Sequence, residues 1–425
     1  MSVSWQVCAR CASEIPDTDA HARCPACGGL LEVRHGRPLL GGAALRATFD
    51  ARWGVRRGAL ASGVWRYREV VLPTAADAQI VSASEGNTPL VASPQVASWA
   101  GSPALLLKHE GHNPTGSFKD RGMTVGVTQA RRVGAQAVAC ASTGNTAAAL
   151  AAYAALGGVP ALVLVPKGHV AAGKLAQALA YGARVLLVRG DFDQCLELAE
   201  AASERLGVYL LNSVNPFRLE GQKTIVLELL QQLAWDPPDW IVVPAGNLGN
   251  MAAFGKALAE ACQWGVIERV PRLAAVQAEG AAPFARSFRD GFAERHRVEP
   301  HTVATAIRIG NPVSYERAVR AVRDTNGVVT TATDDEILEA KAVIDRAGVG
   351  CEPASAAAVA GVRRLVREGV VGPTERAVAI LTGHLLKDPG AVSEYHERRE
   401  PAPPYANRPV EIDARLDQVE RVMRQ

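Results

Sequence analysis

Short apolar, β-rich runs recur between helix-length segments from Ala104 onward, and this alternation restricts the fold more than any other feature of the 425 residues. The runs are Ala104–Lys108, Ala137–Ser142, Ala161–Val165, Ala183–Val188, Val208–Asn212, Trp240–Ala245, Leu273–Ala278 and Ala377–Thr382. Helical segments such as Ser117–Arg132, Thr146–Leu156, Phe192–Leu206 and Leu248–Trp264 lie between them. Continuous apolar strands separated by helices predict parallel sheets covered on both faces, an α/β architecture. The longest apolar stretch, Ala147–Val165, is broken by Gly157, Gly158 and Pro160, so it reads as helix, turn and buried strand rather than a membrane span. A net charge of +3 gives no reason to expect nucleic acid as a partner. Met1–Arg10 lacks the apolar core of a secretory signal, so cytoplasm is the expected location.

Four of the eight cysteines, Cys8, Cys11, Cys24 and Cys27, form two C-x₂-C pairs near the start of the chain. Four thiolates at this spacing suit tetrahedral zinc in a small ribbon spanning residues 1–35. The Arg residues around it (Arg10, Arg23, Arg34, Arg37) form no dense patch, which argues against a DNA-binding role. Residues 36–74, with Trp53 and Trp65, carry no clear pattern. Pro401–Pro409 reads as a linker. Beyond it Ile412, Leu416, Val419 and Met423 fall at helical spacing, so 401–425 is expected to end in a helix docked on the body or on a second subunit.

Chemistry concentrates in three polar, glycine-bearing runs. Lys119 lies in His109–Met123 (HEGHNPTGSFKDRGM), where Pro114, Thr115 and Gly116 make a turn and Ser117 is the expected N-cap. A lysine in the first helical turn opposes the helix dipole, a small penalty that a covalent role beside a bound phosphate would explain. Ser142-Thr143-Gly144-Asn145-Thr146 follows a strand and opens a helix. Its free N–H groups suit an anion such as a substrate carboxylate, and Asn145 suits a phenolic oxygen. Gly246-Asn247-Leu248-Gly249-Asn250 also joins a strand to a helix, and its two glycines let the backbone approach a phosphate. It is neither a GxGxxG nor a Walker loop. Thr382 ends a strand, where its hydroxyl can face a ring nitrogen as a neutral partner. An amine, an amide and a phosphate cradle together point to pyridoxal phosphate (PLP), with Lys119 as its anchor.

The ordered motifs NPTGSFKDRGM (Asn113–Met123), ASTGNTAA (Ala141–Ala148), NPFRLEGQKT (Asn215–Thr224), GNLGN, AIRIGNPVS (Ala306–Ser314), EPASA (Glu352–Ala356) and TGHLLKDP (Thr382–Pro389) resemble those of threonine synthases. These are fold type II PLP enzymes, and the resemblance covers roughly Ser82–Pro389. It implies two interleaved three-layer α/β domains with mainly parallel sheets and the cofactor between them. The catalytic region would be 36–400, with the smaller domain at roughly 105–215. It also implies that Lys119 holds the cofactor covalently, that Asn145 contacts its O3′, that the Gly246–Asn250 amides hold its phosphate and that Thr382 faces its pyridine nitrogen. The implied substrate is O-phosphohomoserine, with Ser142, Asn212, Arg218 and Asn250 around its phosphate and Thr143 and Thr146 near its carboxylate. A guanidinium fork suits a phosphate dianion, which singles out Arg218 on chemical grounds as well. A homodimer is usual for such enzymes. One departure is Leu385-Leu386 after TGH, where a glycine is expected first. Related expectations are cysteate synthase or serine/threonine dehydratase activity, which share Lys119, Asn145 and the phosphate loop. A non-catalytic zinc-ribbon interaction protein would be expected to have lost the lysine or the loop, and both are intact.

Overall fold

A computed structural model describes residues 3–168, 172–398 and 400–424, with only the backbone described at 172–174. A small antiparallel sheet comes first: β1 (Ser4–Cys8), β2 (Glu14–Pro16) and β3 (Leu31–His35), in the order β2-β1-β3. The body holds two further sheets. The larger runs β12-β11-β10-β13-β5-β4, built from β4 (Leu90–Ala92), β5 (Leu106–His109), β10 (Trp240–Pro244), β11 (Arg272–Ala278), β12 (Val328–Ala332) and β13 (Ala377–Leu381). It is parallel except for the edge strand β4. The smaller sheet is wholly parallel, in the order β8-β7-β6-β9, from β6 (Ala137–Ala141), β7 (Ala161–Pro166), β8 (Arg184–Val188) and β9 (Val208–Leu210). Strand β5 pairs into the larger sheet, so the smaller sheet begins only at Ala137.

Both sheets are sandwiched. In β10, Ile241 and Val243 pack into one apolar cluster and Trp240 and Val242 into another, so each face buries its own layer of helices. The first cluster takes in α7 (Thr224–Gln232), α8 (Gly249–Gln263) and α9 (Tyr315–Asp324) through residues such as Leu229, Phe254 and Tyr315. The second takes in α10 (Asp334–Arg346) and α11 (Pro353–Arg367) through Ile337, Ile344 and Val359. Across the smaller sheet, Met123 and Val127 of α2 (Lys119–Arg132) and most of α3 (Asn145–Gly157) cover one face. Cys195 and Ala199 of α5 (Phe192–Arg205) cover the other. Helix α4 (Ala172–Ala180) contributes Leu175 and Ala178 to the α3 side.

Residues 36–74, which carry no pattern in sequence, supply core. Helix α1 (Gly42–Ala51) buries Leu45 and Phe49, and Phe49 meets the Tyr67 ring edge-on at 4.9 Å. Trp65 Nε1 donates to Thr124 Oγ1 of α2 at 2.7 Å. Trp53 stays partly exposed beneath the Arg66 guanidinium, 4.5 Å from its ring. At the other end, α12 (Leu416–Met423) forms but leaves Ile412 outside it, and Ile412, Leu416, Val419 and Met423 are all exposed. Docking on the chain's own body is therefore not what its apolar face does.

A charged network ties the pieces together. Arg121 of α2 meets Glu110 through Nε–Oε2 (2.7 Å) and Nη2–Oε1 (2.8 Å), and Nη2 also reaches Glu228 Oε1 of α7 at 2.8 Å. Lys108 Nζ of β5 donates to the same Glu228 oxygen at 2.7 Å, and the amides of Asn87 and Thr88 donate to its two oxygens. Burial alone would raise the Glu228 carboxyl, but Arg121 and Lys108 outweigh it and hold the group well below the usual carboxylate range. Removing one member of such a network strands the others in a dry interior. Glu228→Ala is expected to cost about 3–5 kcal/mol of stability. A denaturation midpoint within error of the wild type would contradict that role.

Candidate functional site

The cleft between the two sheets encloses about 680 Å³. It lies where open α/β sheets place their ligands, beyond the carboxyl ends of the parallel strands. Ser142–Asn145 follows β6, Gly246–Asn250 follows β10, Thr382 follows β13, and the turn leading to Lys119 follows β5. Lys119, Ser142, Thr143, Asn145, Thr146, Asn212, Arg218, Gly246, Asn247, Leu248, Gly249, Asn250 and Thr382 all line this one cavity. Residues up to 263 positions apart thus meet here, between Lys119 and Thr382.

Lys119 is the first residue of α2, but Ser117 is not its N-cap; Phe118 is. The reason is that Ser117 forms a bridge with Gly383, while Phe118 N donates to Thr382 O (3.0 Å) and His384 N to Gly116 O (2.9 Å). The turn is thus laced to the end of β13. Asp120 holds it from the other side, accepting from Thr115 N (2.7 Å) and Thr115 Oγ1 (2.5 Å). Lys119 is partly open to the cleft, with Nζ 4.1 Å from the Phe118 ring centre. Burial, together with the nearby Arg218 charge, pulls its amine down to about 7, against a weaker pull from Glu352. A free amine near neutral pH is what nucleophilic attack on an aldehyde needs.

The phosphate-type loop departs from expectation in how it bends. Its left-handed residue is Leu248 (φ 63°), the N-cap of α8, and not a glycine. A leucine in that region costs roughly 1–2 kcal/mol, strain stored beside the cleft. The glycines serve close approach instead. A Cβ on Gly246 would stand 3.0 Å from Ile307 Cα, and one on Gly249 would stand 3.3 Å from Gln222 Oε1. The first amides of α8 have no intrahelical acceptor and this loop lines the cleft, which makes it a ready anion cradle.

Arg218 sits on α6 (Pro216–Gln222), which crosses α2 so tightly that a Cβ on Gly221 would lie 1.7 Å from Arg121 O. Its Nη1 donates to Leu211 O at 3.0 Å, its Nε has no partner, and among the described residues no carboxylate pairs with it. Burial pushes the guanidinium down to about 10. A buried, unpaired cation beside the lysine is a site for an anion. Asn250 Oδ1 is likewise buried without a partner. Asn212 differs: its amide exchanges two 3.0 Å bonds with the Ala141 backbone, so it braces the Ser142 loop as well as lining the cleft. Ser142 Oγ accepts from Gly144 N at 3.3 Å.

Glu352 and Lys387 also line the cleft, although no sequence pattern assigns them a role. Glu352 Oε2 accepts from Asn145 Nδ2 (2.9 Å) and Oε1 from Thr382 Oγ1 (3.1 Å), so one carboxyl bridges the two residues expected at the ring's edges. Burial raises its pKa despite those two bonds. It is the N-cap of α11 but makes no side-chain cap bond. An acid before a proline-initiated helix reads as a cap, and only the fold shows it turned away. Lys387 donates to Thr115 O (2.9 Å) and to Gln177 Oε1 of α4, spanning the cleft between domains. In the departure after TGH, Leu385 packs against Gly350 and Leu386 projects from the cleft rim, 70% exposed.

The cysteine cluster is formed as the spacing predicts. Cys8, Cys11, Cys24 and Cys27 place their sulfurs within 4.8 Å of one another, with 3.4 Å from Cys8 to Cys27 and 3.7 Å from Cys11 to Cys24. Thiolates at ~2.3 Å from a tetrahedral zinc would lie about 3.8 Å apart. His21, near the cluster in sequence, pairs with Asp19 and is not part of it.

Two parallel-sheet domains with a low-pKa lysine, an amide and a helix-terminus cradle at their junction define a fold type II PLP-dependent enzyme. Residues 81–383 match the family model described as pyridoxal-phosphate dependent enzyme. The chain is 42% identical over 422 residues to threonine synthase of Methanocaldococcus jannaschii, covering 99% of each. It is 44% identical to threonine synthase of Methanosarcina acetivorans, covering 97% of this chain and 96% of that one. The crystal structure of threonine synthase from Escherichia coli shares the fold, with a TM-score of 0.71 at 17% identity over 100% of this chain and 99% of that chain. The chain belongs to the PLP-dependent enzyme family, in its threonine synthase branch. No helix among the described residues is long and apolar enough to cross a membrane.

The lowered lysine gives a testable signature. Modification of Lys119 by an aldehyde reagent, followed by mass spectrometry on the cofactor-free protein, should speed up about tenfold per pH unit below pH 7 and level off above it. A rate still climbing at pH 9, as for an ordinary lysine, would contradict the geometry.

Proposed function

We propose that this site carries out the threonine synthase reaction, turning O-phospho-L-homoserine and water into L-threonine and phosphate by a β,γ-replacement. The observation that carries this reading is Arg218, a buried guanidinium with no carboxylate partner among the described residues, in the same cleft as Lys119 and in addition to the Gly246–Asn250 loop. One anion cradle serves a cofactor phosphate; a second is needed when the substrate is itself a phosphate ester.

The residues present fit PLP: an amine brought near neutrality, an amide at Asn145 and the unblocked amides at the start of α8. Bound PLP supplies an electron sink for charge that develops on the carbon next to the substrate amine. Lys119 is the covalent anchor, and the Gly246–Asn250 amides hold the phosphate tail. Asn145 and Thr382, both hydrogen-bonded to Glu352, would orient the ring. The opening turn of α3, with Thr143 and Thr146, receives the substrate carboxylate. With a lowered pKa that lets it act as a base at neutral pH, Lys119 would take the proton from the substrate Cα and move protons at Cβ. Ser142, Asn212, Arg218 and Asn250 hold the phosphate that departs from Cγ, and water adds at Cβ.

The four cysteines hold a structural zinc, and two chains associate as a homodimer in the cytoplasm. The sulfur spacings support the metal, and the exposed apolar side chains of α12 support the association.

Lys119→Ala should abolish phosphate release from O-phosphohomoserine, and borohydride should bleach the yellow colour of the wild type but find none to bleach in this variant. Near-normal turnover in Lys119→Ala would refute the assignment. Arg218→Met should raise KM for O-phosphohomoserine by about 10²-fold or more while leaving PLP uptake unchanged. A panel of O-phosphohomoserine, phosphoserine, homoserine and threonine reads the substrate directly, and preference for an unphosphorylated member would overturn the role of Arg218. Purified protein should hold about one zinc per chain. A metal-free preparation that melts at the same temperature with and without added zinc would contradict the structural role.

A further inference from the structure

Gln222 ends α6, four residues beyond Arg218, so the two side chains leave the same face of the helix. It is 3% exposed, lines the cleft, and its amide oxygen has no hydrogen-bond partner among the described residues. Its position is narrow. A Cβ on Gly249, the first residue of α8, would stand 3.3 Å from Oε1, and a Cβ on Gly122 of α2 would stand 3.3 Å from Nε2. The amide is thus wedged between α2 and the start of α8, on the cleft side. A primary amide has two donors and two lone pairs, and leaving such a group buried and unpaired is costly. Asn250 Oδ1, one residue into the same turn of α8, is also buried and unpaired. Arg218 Nε is a donor without a partner in the same cleft. Either amide, flipped, would add N–H donors in place of its unpartnered oxygen, so an anion at this helix N terminus would complete the hydrogen bonding.

We propose that Gln222 is a phosphate ligand. A half-turn of its amide exchanges oxygen and nitrogen and directs an N–H at a phosphate monoester seated at the start of α8. This deepens the reading under Proposed function and rests on it. The shared chemistry is a phosphate monoester dianion, and it has two sources, the tail of the cofactor and the ester of the substrate. The sequence motif that contains Gln222 drew attention to Arg218 alone, because a neutral amide in a helix carries no charge signal.

The test uses the full-length wild type, Gln222→Glu and Gln222→Met. Each is stripped of cofactor and titrated with PLP and with pyridoxal, which lacks the phosphate, and each reloaded protein is assayed for inhibition by inorganic phosphate. Losing one hydrogen bond to a charged group should weaken a phosphate-bearing ligand about tenfold in Gln222→Met. Gln222→Glu should be weaker still, through repulsion, and pyridoxal should bind all three alike. A loss confined to PLP assigns the bond to the cofactor tail; a loss confined to inorganic phosphate assigns it to the substrate ester. Equal binding of PLP and inorganic phosphate by all three proteins would overturn the proposal. So would an equal loss of PLP and pyridoxal, which would mark Gln222 as packing alone. A wild type that takes up no PLP would instead overturn the functional reading itself.

Discussion

Arg121 is clamped between Glu110 and Glu228, with all three side chains withdrawn from solvent, and the rest of the architecture hangs on that clamp. Arg121 lies two residues after Lys119 on α2, so whatever fixes one fixes the other. Glu110 comes from the end of β5 and Glu228 from α7, which ties the reactive lysine to the larger sheet although the body of α2 packs on the smaller one. Charges in a dry interior are costly unless each meets a partner with good geometry. Here every partner arrives from a different part of the chain, so the network cannot form until the topology is correct. Its energetic contribution is therefore tied to one arrangement of the two domains.

The cleft chemistry follows from that arrangement. Strand ends in parallel sheets deliver loops and helix N termini to one side, and four such ends converge on Lys119. The lysine is then surrounded by protein and faces Arg218, which favours its neutral form. The same burial raises Glu352 and lowers Lys387, so groups of opposite ordinary charge are both driven toward neutrality in one pocket. Among the charged side chains of the cleft, Arg218 is set apart by being buried with no carboxylate partner among the described residues, which favours an anionic ligand beside it.

Much of this was legible in sequence, for a definite reason. Parallel strands buried on both faces read as unbroken apolar runs, so β6, β7, β10 and β13 announce themselves. The loops that follow them inherit their positions from the topology. Strand β12 escaped because it is VVTTA at a sheet edge, half polar and only partly buried. Residues 36–74 escaped because their core contacts are spread over one ten-residue helix and several short turns. The helix buries only Leu45 and Phe49, and the turns carry Val64, Trp65, Tyr67, Val70, Val71 and Leu72, too short a pattern for a period to show. Glu352 and Gln222 were not legible, since nothing local distinguishes a capping acid or a helical glutamine from one turned into a cavity. Ser117 looked like a cap because capping is a local rule, and its backbone bridge to Gly383 is a long-range fact. Leu248 shows the converse: the glycines flagged the loop correctly, yet the unusual torsion fell on their neighbour.

The N-terminal cysteine sheet rests on the body through β3. His35 Nε2 lies 2.7 Å from Glu220 Oε2, Lys256 Nζ donates to Val33 O at 2.7 Å, and Arg317 Nη2 donates to Leu31 O at 2.5 Å. Glu220 stands on α6 between Arg218 and Gln222, and Lys256 stands on α8, whose first turn faces the cleft. The extension therefore buttresses the outer side of the same two helices whose inner sides line the cleft. Its distance along the chain from the reacting groups conceals a mechanical adjacency: the back wall of the pocket is propped by the small sheet that carries the four clustered cysteines.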